Sequence, residues 1–514
     1  MHLDIDGINV IFPFDFIYPE QIAYMRELKY SLDHGGHGLI EMPCGTGKTV
    51  TILSFLIAYK RQHPHVINKI VYCTRTVPEL TKAMEELRDL IGYYEKAGSP
   101  LQVMSMSLSA RSNLCINPDV AGCGSRLDID AACRSRTAGF VRRQNRESPR
   151  PDQLSCSFYE KGQQDQQLAQ VMPRQIYNLE DLKAWGLETG RCPYYAAREG
   201  LQLADIVIYS YNYLLDPKIA STVSAQLPPN SVVVFDEAHN IDSVCIKSLS
   251  VKVTKRTIER ARQGLQRVTE KVDEMKNTRK EELEQEYERL VAGLKKARDM
   301  EDAGLGGPPV LPADLLQSAI PGSIRKADNF CGWLRRLLEY CSSRLRVQQT
   351  VQESPLSLLK DIRAKVCIEV RAMRLAPERL QQLINTLQLV DLTGLGDLSE
   401  IVRLGALAGT YHSGFAILFE SVDERGIPDP RIQLACLDAS LVMRPIFTKF
   451  HSVIITSGTL SPIEMYPRLL DFTPIVMTSL PLSMARSGKC VSRSLLINIG
   501  KVNLSEAVHN ELKA

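Results

Sequence analysis

Apolar positions along the chain follow two patterns. The first is the short, nearly unbroken run: Gly38-Leu39-Ile40-Glu41-Met42, a run ending near Cys73, Ile206-Val207-Ile208-Tyr209 and Val232-Val233-Val234-Phe235. Runs this short and without alternation predict strands buried on both faces, as in a parallel sheet. The second is helical. Val50, Leu53, Leu56 and Ile57 recur at threes and fours just after the first run. Ile258, Ala261, Leu265, Val268, Val272 and Met275 step the same way, and so do Leu283, Tyr287, Leu290 and Leu294 beyond a polar turn at Asn277-Thr278. Charged helices with narrow apolar seams predict an antiparallel hairpin. Gly304-Leu305-Gly306-Gly307-Pro308-Pro309 breaks the pattern, and further helices are expected around Trp333, Leu337 and Leu345. No internal repeat is evident.

Between the first run and the first helical pattern lies Pro43-Cys44-Gly45-Thr46-Gly47-Lys48-Thr49. Strand, glycine loop and helix in that order cradle a phosphate chain, because glycines let successive N–H groups face one anion and the helix N-terminus adds its positive end. Gly45, Thr46 and Gly47 would line the cradle, Lys48 would reach the terminal phosphates of ATP, and the Thr49 hydroxyl would ligate magnesium. The full pattern has Gly where this chain has Met42, so the match is partial and a glycine turn capping an ordinary helix competes with it. A second motif weighs against that alternative. The run Val232–Phe235 ends in Asp236-Glu237-Ala238-His239. Carboxylates at the carboxyl edge of a parallel strand face the nucleotide, where Asp236 would hold magnesium and Glu237 would orient and deprotonate the attacking water. Found alone, such a pair is usually a turn or helix cap. His239 reads equally as a coupling residue or a polar core histidine.

Composition narrows the class. The 514 residues are 44% hydrophobic and 24% charged, a globular balance that excludes wholesale disorder. Lys and Arg number 62 against 59 Asp and Glu, so a net charge of +3 requires any nucleic-acid site to be local. No apolar stretch is long enough to span a membrane and the first residues are acidic, so an intracellular protein without a membrane partner is expected.

The 13 Cys, an odd number in a long chain, suit reduced thiols or metal ligands better than disulfides. Cys115, Cys123, Cys133, Cys156 and Cys192 share one window without a Cys-x-x-Cys pair, which makes a zinc ribbon a weak reading. An iron-sulfur cluster and buried free thiols remain balanced on spacing alone. Around them Arg111, Arg134, Arg136, Arg142, Arg143, Arg191 and Arg198 interleave with Phe140, Phe158, Tyr159, Tyr194 and Tyr195. Arginines that neutralise phosphates beside rings that stack bases suit single-stranded nucleic acid, and a solvated basic face is the alternative.

The paired motifs resemble those of superfamily 2 helicases, and longer stretches resemble the XPD family among them. They include Tyr18-Pro19-Glu20-Gln21, Thr74-Arg75-Thr76-Val77-Pro78-Glu79, Tyr209-Ser210-Tyr211-Asn212-Tyr213-Leu214-Leu215-Asp216-Pro217, Leu334-Arg335-Arg336-Leu337-Leu338-Glu339-Tyr340 and Ile455-Thr456-Ser457-Gly458-Thr459-Leu460-Ser461-Pro462. The resemblance runs over about residues 1–486 and implies an α/β, RecA-like parallel-sheet motor domain. Its pieces would be 1–105, 201–245 and 441–486, with an iron-sulfur insertion at 106–200, a mainly α-helical arch at 246–440 and a divergent tail at 487–514. It implies ATP and magnesium as cofactors and a [4Fe-4S] cluster on Cys115, Cys133, Cys156 and Cys192, leaving Cys123 a bystander. Gln21 would read adenine; Arg75, Arg111, Tyr194 and Arg198 would meet DNA; His239, Ser457 and Thr459 would couple hydrolysis to movement. The alternative role for Arg111 is to steady the anionic cluster through charge and hydrogen bonding. The implied activity is 5′ to 3′ unwinding of single-stranded or forked DNA in nucleotide excision repair and transcription initiation, in the nucleus, alongside other TFIIH subunits.

Two departures stand out. Cys44 occupies a loop position where the family has Ser or Thr, which should spare backbone-mediated ATP binding. The family also carries a second motor domain whose arginines complete the ATP site, whereas this sequence ends at Ala514 and loses the resemblance near Ser487. On that reading the second motor domain is absent, and the chain alone is expected to bind ATP weakly, hydrolyse poorly and not unwind. A non-catalytic DNA- or TFIIH-binding form and a related iron-sulfur helicase of FANCJ type are the alternatives.

Overall fold

The first buried run forms a strand because Gly38, Leu39 and Ile40 have no exposed face to reserve for polar groups, and the other runs fold alike. The computed structural model describes residues 1–139, 141–142, 155–164, 168–278, 324–346, 350–387, 389, 394–422 and 428–481. Its strands in chain order are β1 (His2–Ile5), β2 (Ile8–Ile11), β3 (Gly38–Glu41), β4 (Lys69–Thr74), β5 (Ser105–Leu108), β6 (Ile176–Tyr177), β7 (Ile206–Ser210), β8 (Ser231–Phe235), β9 (Val251–Thr254), β10 (Val351–Glu353), β11 (Phe415–Val422), β12 (Pro428–Cys436), β13 (Ser452–Ser457) and β14 (Val476–Ser479). Eight of them build one sheet in the order β14-β3-β13-β8-β4-β7-β5-β6, every pair parallel.

Register decides what this sheet can do. Ser457 pairs with Glu41, Ile455 with Phe235, and Phe235 with Cys73. The carboxyl ends of β3, β13, β8 and β4 therefore lie side by side at one rim, the edge at which parallel sheets place their ligands. The glycine loop leaves β3, Asp236 follows β8, Ser457 ends β13 and Arg75 follows β4.

The two insertions are less cleanly separated than their sequence limits suggest. β5 runs to Leu108 and β6 lies at Ile176–Tyr177, so residues within 106–200 extend the motor sheet. The mainly helical arch also holds an antiparallel sheet, β10-β11-β12-β9, that periodicity did not announce. Helix Lys255–Thr278 packs against helices Ile324–Arg344 and Leu395–Thr410. Gly264 permits the second of these contacts: a Cβ there would stand 2.7 Å from the backbone carbon of Gly394. The expected partner helix through Leu283 and Leu294, the break at Gly304–Pro309, Phe140, Arg143 and the tail 487–514 lie outside the described residues. Among the described residues no helix is long and apolar enough to cross a membrane.

Candidate nucleotide and nucleic-acid site

The glycine loop turns back on itself through left-handed backbone at Gly45 (φ 79°) and Gly47 (φ 72°), where a side chain would be strained. Thr46 Oγ1 donates to Pro43 O at 2.6 Å and closes the turn. Helix Lys48–Gln62 starts directly behind it with Lys48 buried in its first turn.

From there the Lys48 ammonium reaches Glu237 Oε1 at 2.9 Å and Asp236 Oδ1 at 3.7 Å. Asp236 is held further by Tyr72, whose hydroxyl donates to Oδ2 at 2.7 Å, and by the Glu237 N–H at 2.9 Å. Burial pushes the Asp236 carboxyl above the usual carboxylate range, outweighing the opposing pull of Lys48. Glu237 goes the other way: burial raises it, but hydrogen bonds from Lys48 and Ser457 and the Lys48 charge hold it below its usual value. Its backbone has φ 55°, a left-handed turn that aims a non-glycine residue out of the strand end. Thr49 stands within hydrogen-bond reach of Tyr72 and Glu86.

A line of polar contacts leaves this pocket. Ser457 Oγ is 3.2 Å from Glu237 Oε2 and 3.1 Å from His239 Nδ1, and His239 Nε2 is 3.3 Å from Arg75 Nη1. Thr459 joins only through its N–H, 3.4 Å from Ser457 Oγ, while its side chain is exposed. Arg75 sits just ahead of a capping box in which Thr76 and Glu79 satisfy each other's backbone, with Glu79 also accepting from the Arg75 N–H.

Arg75 opens into a cleft of about 620 Å³ between the sheet rim and the cysteine-bearing insertion. Arg111, Arg126, Arg198, Tyr194 and Tyr213 also line it. Tyr194, expected to meet nucleic acid, lies beneath two guanidiniums. The side chain is buried, and the guanidiniums of Arg198 and Arg111 lie 3.6 and 4.3 Å from the ring centroid, so the ring seats both cations at the cleft. Gln21 links two helices at the rim. Its buried amide accepts from the Tyr18 N–H at 2.9 Å and donates to Thr51 at 3.0 Å, tying the start of helix Pro19–Asp33 to helix Lys48–Gln62 and keeping one lone pair and one N–H for a further partner.

No group of three or more His, Cys, Asp or Glu among the described residues is arranged to hold a single metal ion. Cys115 nevertheless lies within electrostatic reach of Cys133, Cys156 and Arg111, and Cys192 within reach of Cys156 and Cys133. An iron-sulfur cube, which spreads its ligands more widely than one ion does, suits this set better than zinc. Burial pushes the Cys192 thiol up to about 12 despite N–H donors from Tyr194 and Tyr195. Cys123 instead points at the Asp119 carbonyl, 3.5 Å away.

Sequence reasoning missed Tyr72, Glu86 and Tyr211, whose hydroxyl donates to the Asp236 carbonyl. Tyr72 left one signal: a hydroxyl inside an otherwise apolar strand needs a buried partner.

Family models agree with this geometry. DEAD_2 matches residues 72–258, the helical and beta-bridge domain matches 271–414, and the type III restriction enzyme res subunit matches 16–109. The "General transcription and DNA repair factor IIH helicase subunit XPD" of Arabidopsis thaliana is 45% identical over 495 residues, 95% of this chain and 65% of that protein. The "General transcription and DNA repair factor IIH helicase subunit XPD/RAD3" of Saccharomyces cerevisiae is 39% identical over 95% of this chain and 63% of that protein. The "Regulator of telomere elongation helicase 1 homolog" of Drosophila melanogaster, at 31% identity, matches 48% of this chain and 27% of that protein. The chain thus spans less than two thirds of the length of the XPD relatives, yet nearly all of it aligns with them, and it belongs to the XPD family of helicases.

Proposed function

We propose that the chain carries the nucleotide-binding half of an ATP-dependent, 5′ to 3′ DNA helicase of XPD type, working in the nucleus as a TFIIH subunit in nucleotide excision repair and transcription initiation. The observation that carries the reading is the meeting of Lys48 with Asp236 and Glu237 at the rim of one parallel sheet. Lys48 would neutralise the terminal phosphates, Asp236 and Thr49 would hold magnesium, and Glu237 would take the proton of the attacking water. Gly45, Thr46 and Gly47 would turn backbone N–H groups to the phosphates.

Arg75, Arg111 and Arg198 would grip the backbone of single-stranded DNA in the cleft, a contact indifferent to base identity. Cys115, Cys133, Cys156 and Cys192 would hold a [4Fe-4S] cluster, which when bound supplies a rigid, charged joint beside the cleft. Arg111, paired with Asp130 at 2.9 Å and close to Cys133, would steady that joint.

The test compares the chain with Lys48→Ala in magnesium-dependent ATP binding and in hydrolysis with and without single-stranded DNA. Loss of both in the variant supports the motor reading. DNA or TFIIH binding that proceeds without ATP and is untouched by Lys48→Ala would assign the chain a non-catalytic role.

A further inference from the structure

The contacts at the rim form a chain with a direction. A guanidinium can only donate, so in the Arg75–His239 contact at 3.3 Å the ring nitrogen Nε2 is the acceptor. In a neutral ring the proton then sits on Nδ1, facing Ser457 Oγ at 3.1 Å and Glu237 Oε2 at 3.5 Å. That leaves the Ser457 hydroxyl to give its own proton to Glu237, 3.2 Å away. The series begins on a cation in the cleft and ends on the carboxylate that also receives Lys48. Its ends differ in freedom: the Arg75 side chain is exposed while its backbone is fixed by Glu79, whereas Ser457 is wholly buried.

We infer that Arg75 sets the tautomer of His239, and that a nucleic-acid phosphate in the cleft reverses it by drawing the guanidinium away. A phosphate offers Arg75 a charged, bidentate partner in place of a neutral ring nitrogen. Once Nε2 has lost its donor it can carry the ring proton and donate it to the same phosphate, an anion that accepts where the guanidinium could only donate. Nδ1 gives up a proton to solvent as Nε2 gains one, so the ring stays neutral and nothing is consumed. Nδ1 then accepts from the Ser457 hydroxyl, and Glu237 loses that hydrogen bond. The oxygen so released can accept the proton of a water. His239 is thus a positioning residue with two arrangements, each favoured by one state of the cleft, which is what coupling between sites requires. The inference rests on the ATP-hydrolysing reading above and specifies how nucleic acid would regulate it.

The direct test is the ring nitrogen spectrum of the chain labelled with 15N-histidine, in which His239→Gln identifies the signals that belong to His239. Nδ1–H is expected without DNA and Nε2–H with saturating oligothymidylate, whose binding is followed by fluorescence anisotropy. Under the same conditions DNA should speed single-turnover hydrolysis of magnesium-ATP by at least about fivefold, falling below about twofold in His239→Gln. Ser457→Ala cuts the series lower down, so His239 should still change tautomer while the stimulation disappears. A ring that keeps Nδ1–H when DNA is bound, or a stimulation that survives in either variant, overturns the inference. A chain that binds neither ATP nor DNA removes the motor reading, and this inference with it.

Discussion

Lys48 is already paired in the structure, and that shapes what any phosphate must do to bind. On the proposed reading an incoming phosphate would have to draw the ammonium from Glu237, so that Glu237 would both compete with substrate and serve the reaction. Glu237→Gln should therefore move two quantities in opposite directions. Magnesium-ATP should bind a few-fold tighter, because a half-buried ionic hydrogen bond no longer has to be broken. Hydrolysis should fall by about two to four orders of magnitude, the usual worth of a general base. Calorimetric titration and single-turnover assays on the same preparation read both. Tighter binding with undiminished hydrolysis would hand the base role to another carboxylate, of which Glu86 is nearest to hand: burial, with the charge of Asp236, holds it above its usual range. At this scale the sequence was informative wherever spacing carries the chemistry. Lys48, Asp236 and Glu237 could be named because loop and strand end are local patterns, whereas Tyr72 finds Asp236 only across 164 residues of chain. For Gln21 and Tyr194 the sequence could not show the neighbours that hold them, Thr51 on the amide and Arg198 over the ring.

Elements are joined at the rear of the sheet as carefully as at the rim. Asp205, at the entry to β7, accepts from Lys60 at 2.7 Å on the phosphate-loop helix, from the Met104 N–H at 3.0 Å ahead of β5, and from Arg174 ahead of β6. Burial alone would raise its carboxyl, but the Lys60 and Met104 hydrogen bonds and the nearby cations hold it below the usual value. A carboxyl with a depressed native value stabilises the fold above the ordinary carboxylate range near about 4 and loses that contribution as pH falls through the native value. Asp205→Asn should thus cost about 2 kcal/mol at pH ~7, and the gap to the parent should close as the medium is acidified below about pH 4. Urea midpoints of the two proteins across that range test this; a gap that stays constant would mean that charge plays no part. The same scale explains which elements could be read. The strands around Leu39, Ile208 and Val234 are unbroken apolar runs because both their faces are covered. β11 opens on the apolar run Phe415–Phe419, which periodicity alone does not separate from a buried helical segment, and β6 is too short to show any period.

Across the whole molecule, the cysteine-bearing insertion is fastened to the motor sheet and does not hang from it. β5 and β6 extend the sheet, and helix Leu179–Thr189 is capped by Asn178 and tied through Asp181 to Arg88 on helix Val77–Lys96. That last helix starts beside Arg75, so the thiols, the cleft and the phosphate rim share one framework. A group bound by Cys115, Cys133, Cys156 and Cys192 would therefore act on nucleic acid more than on nucleotide, since Arg111 and Arg198 line the cleft while Lys48 stands on the far side of the Arg75–Glu237 series. Chain purified without oxygen should contain about four iron and four sulfide. Cys192→Ser should lose most of that iron and weaken DNA binding markedly more than magnesium-ATP binding. Metal analysis beside paired titrations decides the matter. Equal loss of both affinities would mean that the cluster holds up the entire motor domain, and a single equivalent of zinc in place of iron would show that the thiols close around one ion.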